Sequence, residues 1–257
     1  MNRIEDCFAK LKAENRKALI GYLTAGDPTP RRSEAHLRTA LRHGVDILEV
    51  GVPFSDPTAD GPVIQAAAGR ALAAGTNLNV ILAMIRRLRR DYPRPPVILF
   101  SYANPLLAYG YEKLCRDARA AGVDGLLVVD LPLEESEELR RWMRPQGLAF
   151  IPLIAPTTPP ARMRRILEHC REGFVYYILV RGVTGGRTGV TAEAVRHFRE
   201  LRKCTSLPLA AGFGVRDAAQ ARRAARHADA VVVGSALVEA ARQGGLSRLV
   251  GALSAAL

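Results

Sequence analysis

The stretch Ile47-Leu48-Glu49-Val50-Gly51-Val52 is apolar or small at five of its six positions and carries one carboxylate near its middle. Its hydrophobicity runs on without alternating, as expected for a strand buried on both faces of a parallel sheet. Seven more runs of this kind lie at 19–25, 97–102, 126–129, 150–154, 174–180, 207–211 and 230–233, which makes eight predicted strands. Segments of helical period separate them. Leu78, Ile81, Leu82, Ile85 and Leu88 form one apolar stripe, and Met163, Ile166, Leu167 and Cys170 form another. Thr158 and Pro159 read as the cap and first turn of the second helix, and Gly173 as its end. Strand–helix units of about 30 residues predict right-handed crossovers and a parallel sheet. Eight of them in 257 residues match an α/β fold of the closed (β/α)8 TIM-barrel type, with extra helices at the N-terminus and between strands 2 and 3. An open doubly wound sheet is the alternative arrangement. No linker or composition break divides the chain, so residues 1–257 are expected to form one barrel domain.

At 48% hydrophobic and 24% charged residues, with Gly and Pro dispersed, the composition is that of an ordinary soluble globular protein. Lys and Arg outnumber Asp and Glu by 37 to 25, a net charge of +12, and only Lys10, Lys12, Lys17, Lys113 and Lys203 are lysines. The densest arginine cluster, Arg86, Arg87, Arg89 and Arg90, has no aromatics interleaved to stack bases. It reads as a solvated helix face, and no nucleic-acid partner is expected. Cys7, Cys115, Cys170 and Cys204 make no CxxC or close pair, so no metal site is predicted and reduced, inert thiols are the expectation. The first ten residues lack the apolar core of a signal peptide, and no stretch approaches a membrane span. A cytoplasmic location without membrane contact is expected.

Chemistry in such a barrel belongs at the C-terminal ends of the strands and in the loops that follow. Glu49 stands at such an end. It reads either as a buried carboxylate paired with an arginine or, with a pKa raised by an apolar barrel mouth, as a proton-transfer group. The next loop, Pro53-Phe54-Ser55-Asp56-Pro57-Thr58-Ala59-Asp60-Gly61-Pro62, adds Asp56 and Asp60. Asp60 reads as a helix cap or as a functional carboxylate, and Asp56 as a turn residue. Three late turns, Gly182-Val183-Thr184-Gly185-Gly186, Gly212-Phe213-Gly214-Val215 and Gly234-Ser235, follow the last three predicted strands. Each could be a tight turn only, but together they suit a phosphate held by backbone N–H groups, hence a small phosphorylated substrate.

The run Leu48-Glu49-Val50-Gly51-Val52-Pro53-Phe54-Ser55-Asp56-Pro57-Thr58-Ala59-Asp60-Gly61-Pro62-Val63-Ile64-Gln65 resembles the signature of the tryptophan synthase α subunit family. Leu23-Thr24-Ala25-Gly26-Asp27-Pro28, Tyr102-Ala103-Asn104-Pro105, Asp130-Leu131-Pro132, Gly182-Val183-Thr184-Gly185, Gly212-Phe213-Gly214 and Val233-Gly234-Ser235-Ala236 extend the resemblance over essentially the whole chain. It implies a carbon–carbon lyase of tryptophan biosynthesis, performing retro-aldol cleavage of indole-3-glycerol phosphate to indole and glyceraldehyde 3-phosphate with no cofactor. By the resemblance Glu49 is the general acid/base and Asp60 the carboxylate that accepts the indole N–H. It implies that Tyr22 and Phe213 contact the indole, that Gly185, Gly214, Gly234 and Ser235 hold the phosphate, that Tyr102 and Thr184 also bind substrate, and that Tyr176 stands beside it in a supporting role. It also implies a β-subunit partner in an α2β2 heterotetramer, met by Asp56, Pro57, Asn104, Pro105, Leu131 and Pro132.

Two departures stand out. Leu179 takes the place of a serine usual in the family, beside an atypical Val180-Arg181, and Gly21 replaces a proline before Tyr22. Both leave the two carboxylates intact. They keep open two alternatives: a weakly active subunit that mainly activates a β partner, and a stand-alone indole-producing lyase.

Overall fold

The computed structural model describes residues 2–178, 192–212 and 214–257. Its strands are β1 (Ala18–Thr24), β2 (Ile47–Gly51), β3 (Val97–Ser101), β4 (Gly125–Val128), β5 (Ala149–Phe150), β6 (Leu153–Ile154), β7 (Val175–Ile178), β8 (Leu209–Gly212) and β9 (Ala230–Val233). The helices among the described residues are α1 (Arg3–Ala13), α2 (Pro30–Arg42), α3 (Pro62–Ala73), α4 (Leu78–Asp91), α5 (Ala103–Tyr109), α6 (Tyr111–Ala121), α7 (Glu137–Met143), α8 (Pro160–Glu168), α9 (Ala192–Cys204), α10 (Ala218–Ala225), α11 (Ser235–Gln243) and α12 (Leu246–Ser254).

All strand pairings are parallel, in the order β5-β4-β3-β2-β1-β9-β8-β7-β6. The two ends of that order are neighbours in the chain. Ile151 N–H donates to Leu126 O at 2.9 Å on one side, and Tyr176 N–H to Pro152 O at 2.9 Å on the other. The predicted fifth strand is therefore two short ones, and between them it closes the barrel. Pro152, which has no N–H, offers the β7 side an acceptor and no donor, so pairing changes partner at this point.

The apolar stripe of α4 is buried as its spacing predicts, and so is that of α8. Inside the barrel, Ile20, Ile47, Ile98, Leu127, Ile151 and Phe174 form a filled floor. The extra N-terminal helix is present, and α1 plugs the floor from below with Ile4, Cys7, Phe8 and Leu11. The Phe8 and Phe174 rings lie 6.1 Å apart. Arg3 of α1 reaches Asp124 at 2.7 Å, and Arg89 of α4 reaches the same carboxylate at 2.6 Å. Arg89 thus leaves the solvated arginine face expected of it, because the buried Asp124 draws it inward. Arg87 stays outside, paired with Glu34 at 2.7 Å.

Other expectations shift at element ends. Strand β3 stops at Ser101, and Tyr102 becomes the cap of the unpredicted helix α5. Thr158 does not cap α8: Pro159 is the cap, and the Thr158 hydroxyl instead accepts from Ala155 N–H at 3.1 Å. Helix α8 ends at Glu168, short of Gly173, which makes the turn into β7 with φ +84°. No single helix among the described residues is long and apolar enough to cross a membrane.

Candidate active site at the barrel mouth

Glu49 pairs in register with Tyr22 of β1 and Ile98 of β3, so all three side chains point into the barrel, where Ile98 is part of the apolar floor. Glu49 is wholly buried, and neither carboxylate oxygen has a hydrogen-bond partner among the described residues. No arginine among the described residues pairs with it, a pairing the sequence had left open. Burial without compensation pushes the carboxyl up to about 8, so the group carries a proton at neutral pH.

Two glycines make room for aromatic walls. A Cβ on Gly51 would lie 2.2 Å from the Tyr22 hydroxyl, and one on Gly212 would lie 2.8 Å from the Tyr176 ring. Tyr22 packs edge-on against Phe100, with centroids 5.1 Å apart, and its hydroxyl lies 3.4 Å from that of Thr24. Burial raises both phenols. Next in weight come the carboxylates, Asp60 for Tyr22 and Glu49 for Tyr176, so the four groups share one chamber.

Asp60 does not cap α3. That cap is Gly61, which makes no side-chain bond. Asp60 instead stands half-buried against Tyr102. Burial raises its carboxyl, and a hydrogen bond from the Tyr102 hydroxyl opposes the rise. The same hydroxyl accepts Ala59 N–H at 2.9 Å, and the Tyr102 ring lies 5.3 Å from that of Phe54. The Tyr102 phenol is itself raised, by burial and then by Asp60. Gln65, one turn into α3, donates from Nε2 to the Asp60 carbonyl at 2.8 Å. Sequence reasoning gave Gln65 no role, although a polar side chain in the first turn after a carboxylate-bearing loop was a usable signal.

Two of the glycine turns can be followed. Gly214 has φ +63°, and Gly234 is the cap residue of α11 without a side-chain bond. Ser235 opens that helix, whose first N–H groups lack intrahelical partners. A Cβ on Gly234 would meet nothing closer than 3.7 Å among the described residues, which leave the backbone there open to a ligand. Thr184, Gly185 and Phe213 lie outside the described residues, as do Leu179 and Arg181.

On the neighbouring loops, Asp56, Asn104 and Pro132 are exposed, while Pro57, Pro105 and Leu131 are half-buried. They follow β2, β3 and β4, three adjacent strands. Asn104 and Pro105 lie in the first turn of α5, where a proline costs no helical hydrogen bond.

A family model for the tryptophan synthase alpha chain matches residues 8–249. The chain belongs to that family. A tryptophan synthase alpha chain of Laribacter hongkongensis is 49% identical over 239 residues, covering 93% of this chain and 90% of the relative. The crystal structure of the Legionella pneumophila alpha chain superposes with a TM-score of 0.90 at 37% identity, covering 100% of this chain and 97% of that one. A chain of the Mycobacterium tuberculosis tryptophan synthase superposes with a TM-score of 0.91 at 35% identity, covering 100% and 98%. The resemblance in the sequence and the TIM-barrel fold are both borne out, and the chain is a lyase of tryptophan biosynthesis.

Proposed function

We propose that Glu49 and Asp60 carry out the family's reaction, the aldol-type cleavage of indole-3-glycerol phosphate to indole and glyceraldehyde 3-phosphate. The observation that carries this reading is the carboxyl of Glu49, buried, without a hydrogen-bond partner among the described residues, and raised by that burial to about 8. It donates its proton to indole C3, which leaves the ring cationic. Asp60 accepts the indole N–H and stabilises that cation. The Glu49 carboxylate then takes the side-chain hydroxyl proton as the carbon–carbon bond breaks, which returns the carboxyl to its starting state. Tyr22, Tyr102, Tyr176 and Phe213 wall the indole, and Thr184, Gly185, Gly214, Gly234 and Ser235 bind the phosphate end. Substituting Glu49→Gln keeps the shape and removes the proton cycle, with an expected loss of about 100- to 10,000-fold in indole formation. Retention of more than about a tenth of the wild-type rate would refute the assignment.

The same reading gives the chain a tryptophan synthase β subunit as partner, in an α2β2 assembly in the cytoplasm. Asp56, Pro57, Asn104, Pro105, Leu131 and Pro132 would meet it. Their clustering beside the mouth supports this, as does Leu107 of α5, a large apolar residue left 55% exposed next to them. We also read residues 1–257 as one barrel domain.

A further inference from the structure

The loop from β1 to α2 takes no part in the chemistry above, yet it grips α3 at one point and the turn after α3 at another. Asp27, only 8% exposed, receives both Nε and Nη2 of Arg70 on α3, at 2.7 and 2.9 Å. Such a two-pronged contact fixes orientation as well as distance. The second grip lies just beyond the C-terminal end of α3. There Gly26, at φ +88°, packs so closely on Thr76 that a Cβ would stand 1.9 Å from its hydroxyl. Only glycine satisfies both the backbone angle and the space.

Helix α3 needs such ties. Its fully buried residues are Ala67, Ala68 and Ala71, with Val63 and Ile64 of the first turn half-buried against the core, whereas α4 buries six large apolar side chains. Alanine methyls provide little apolar area, so packing alone fixes the register of α3 weakly. What α3 carries makes its register matter. Asp60 lies two residues before its first residue, Pro62, and Gln65 on its first turn holds the Asp60 carbonyl. Ile64 reaches the other side of the mouth, 3.9 Å from where a Cβ on Gly234 would be.

We infer that the Asp27–Arg70 pair is a positioning device: by pinning α3 to the first loop it sets the Asp60 carboxylate at the indole nitrogen. The inference rests on the role proposed for Asp60. A catalytic group misplaced by about 1 Å can cost about 100-fold in rate. Arg70→Ala is therefore expected to lower kcat by roughly 10- to 100-fold. Binding of glycerol 3-phosphate should change by less than about threefold, because the phosphate site is built from other loops. Arg70→Lys retains the charge without the fork and guards against misfolding of the alanine variant; an intermediate rate is expected.

The deciding measurement is kcat for wild type, Arg70→Ala, Asp60→Asn and the double variant, at a temperature where melting curves show all four folded. If Arg70 acts through Asp60, Arg70→Ala costs nothing further in the Asp60→Asn background. A full further loss there overturns the inference, as does a wild-type kcat in both Arg70 variants accompanied only by a lower Tm. Failure of the underlying reading shows separately, as an Asp60→Asn single variant with wild-type kcat, and takes the inference with it.

Discussion

Gly51 lies against Tyr22, leaving the tyrosine hydroxyl where a Cβ of residue 51 would otherwise stand 2.2 Å away. Tyr22 is also the register partner of Glu49, so the ring cannot move aside without entering the chamber of that carboxyl. Gly51→Ala adds one methyl group to a filled layer, and overpacking of this kind costs about 1–3 kcal/mol. The expected result is a lower Tm and at least about a tenfold lower kcat, since the displaced ring intrudes on the substrate site. Indole formation at the wild-type rate by the folded variant would contradict this geometry.

The raised carboxyl of Glu49 makes a second prediction, about pH. An ordinary glutamate titrates near 4.5, and Glu49 in the folded protein near 8. Between those values the folded protein keeps a proton that the unfolded chain has released, so stability falls as pH rises through the window and flattens above it. Glu49→Gln has no such proton to keep. Melting curves from pH 5 to 8 should show the variant gaining on wild type as pH rises, and a constant difference would refute the raised value. Wild-type kcat should decline above about pH 8, as the acid form is lost.

Gly234 and Gly214 separate bulk from charge at the phosphate site. A Cβ on Gly234 meets no close neighbour, so Gly234→Asp should fold and act on the anion through repulsion. Its KM should rise by at least about tenfold, and the rise should shrink in high salt. At Gly214 the backbone has φ +63°, which a β-branched residue resists, so Gly214→Val should raise KM and lower Tm together. Unchanged affinity for glycerol phosphate in both variants would remove these turns from the site.

Asp56 and Asp60 share one loop, so an event at the exposed carboxylate is transmitted over a short stretch of backbone to the half-buried one. Binding of a β subunit should order this loop and raise lyase turnover. Titrating a β subunit into wild type and Asp56→Ala, with indole as readout, should show a smaller ratio of stimulated to unstimulated rate in the variant. Equal stimulation of both, or none of wild type, would dismiss the proposed interface.

The architecture was legible because strands buried on both faces leave a continuous apolar signal, and Glu49 stood out as the one charge inside such a run. The division of the fifth strand was not legible. Ile151 and Pro152 bond to opposite neighbours only because the barrel closes there, and a local pattern does not report closure. Asp60 shows a different limit. A helix cap and a catalytic carboxylate occupy the same place in sequence, and contact with Tyr102, far along the chain, separates them. Arg89 was misplaced because its partner, Asp124, comes from another strand–helix unit.

The plug formed by α1 has a consequence for traffic. With Phe174 in the floor, Phe8 packed against it from below, and Ile4 and Leu11 buried beside them, the described residues close the barrel at its lower end. Whatever is released above Glu49 must leave by the way the substrate came in. A protein seated over that rim would therefore intercept an apolar product without any tunnel through the barrel itself; the dead end below supplies the direction.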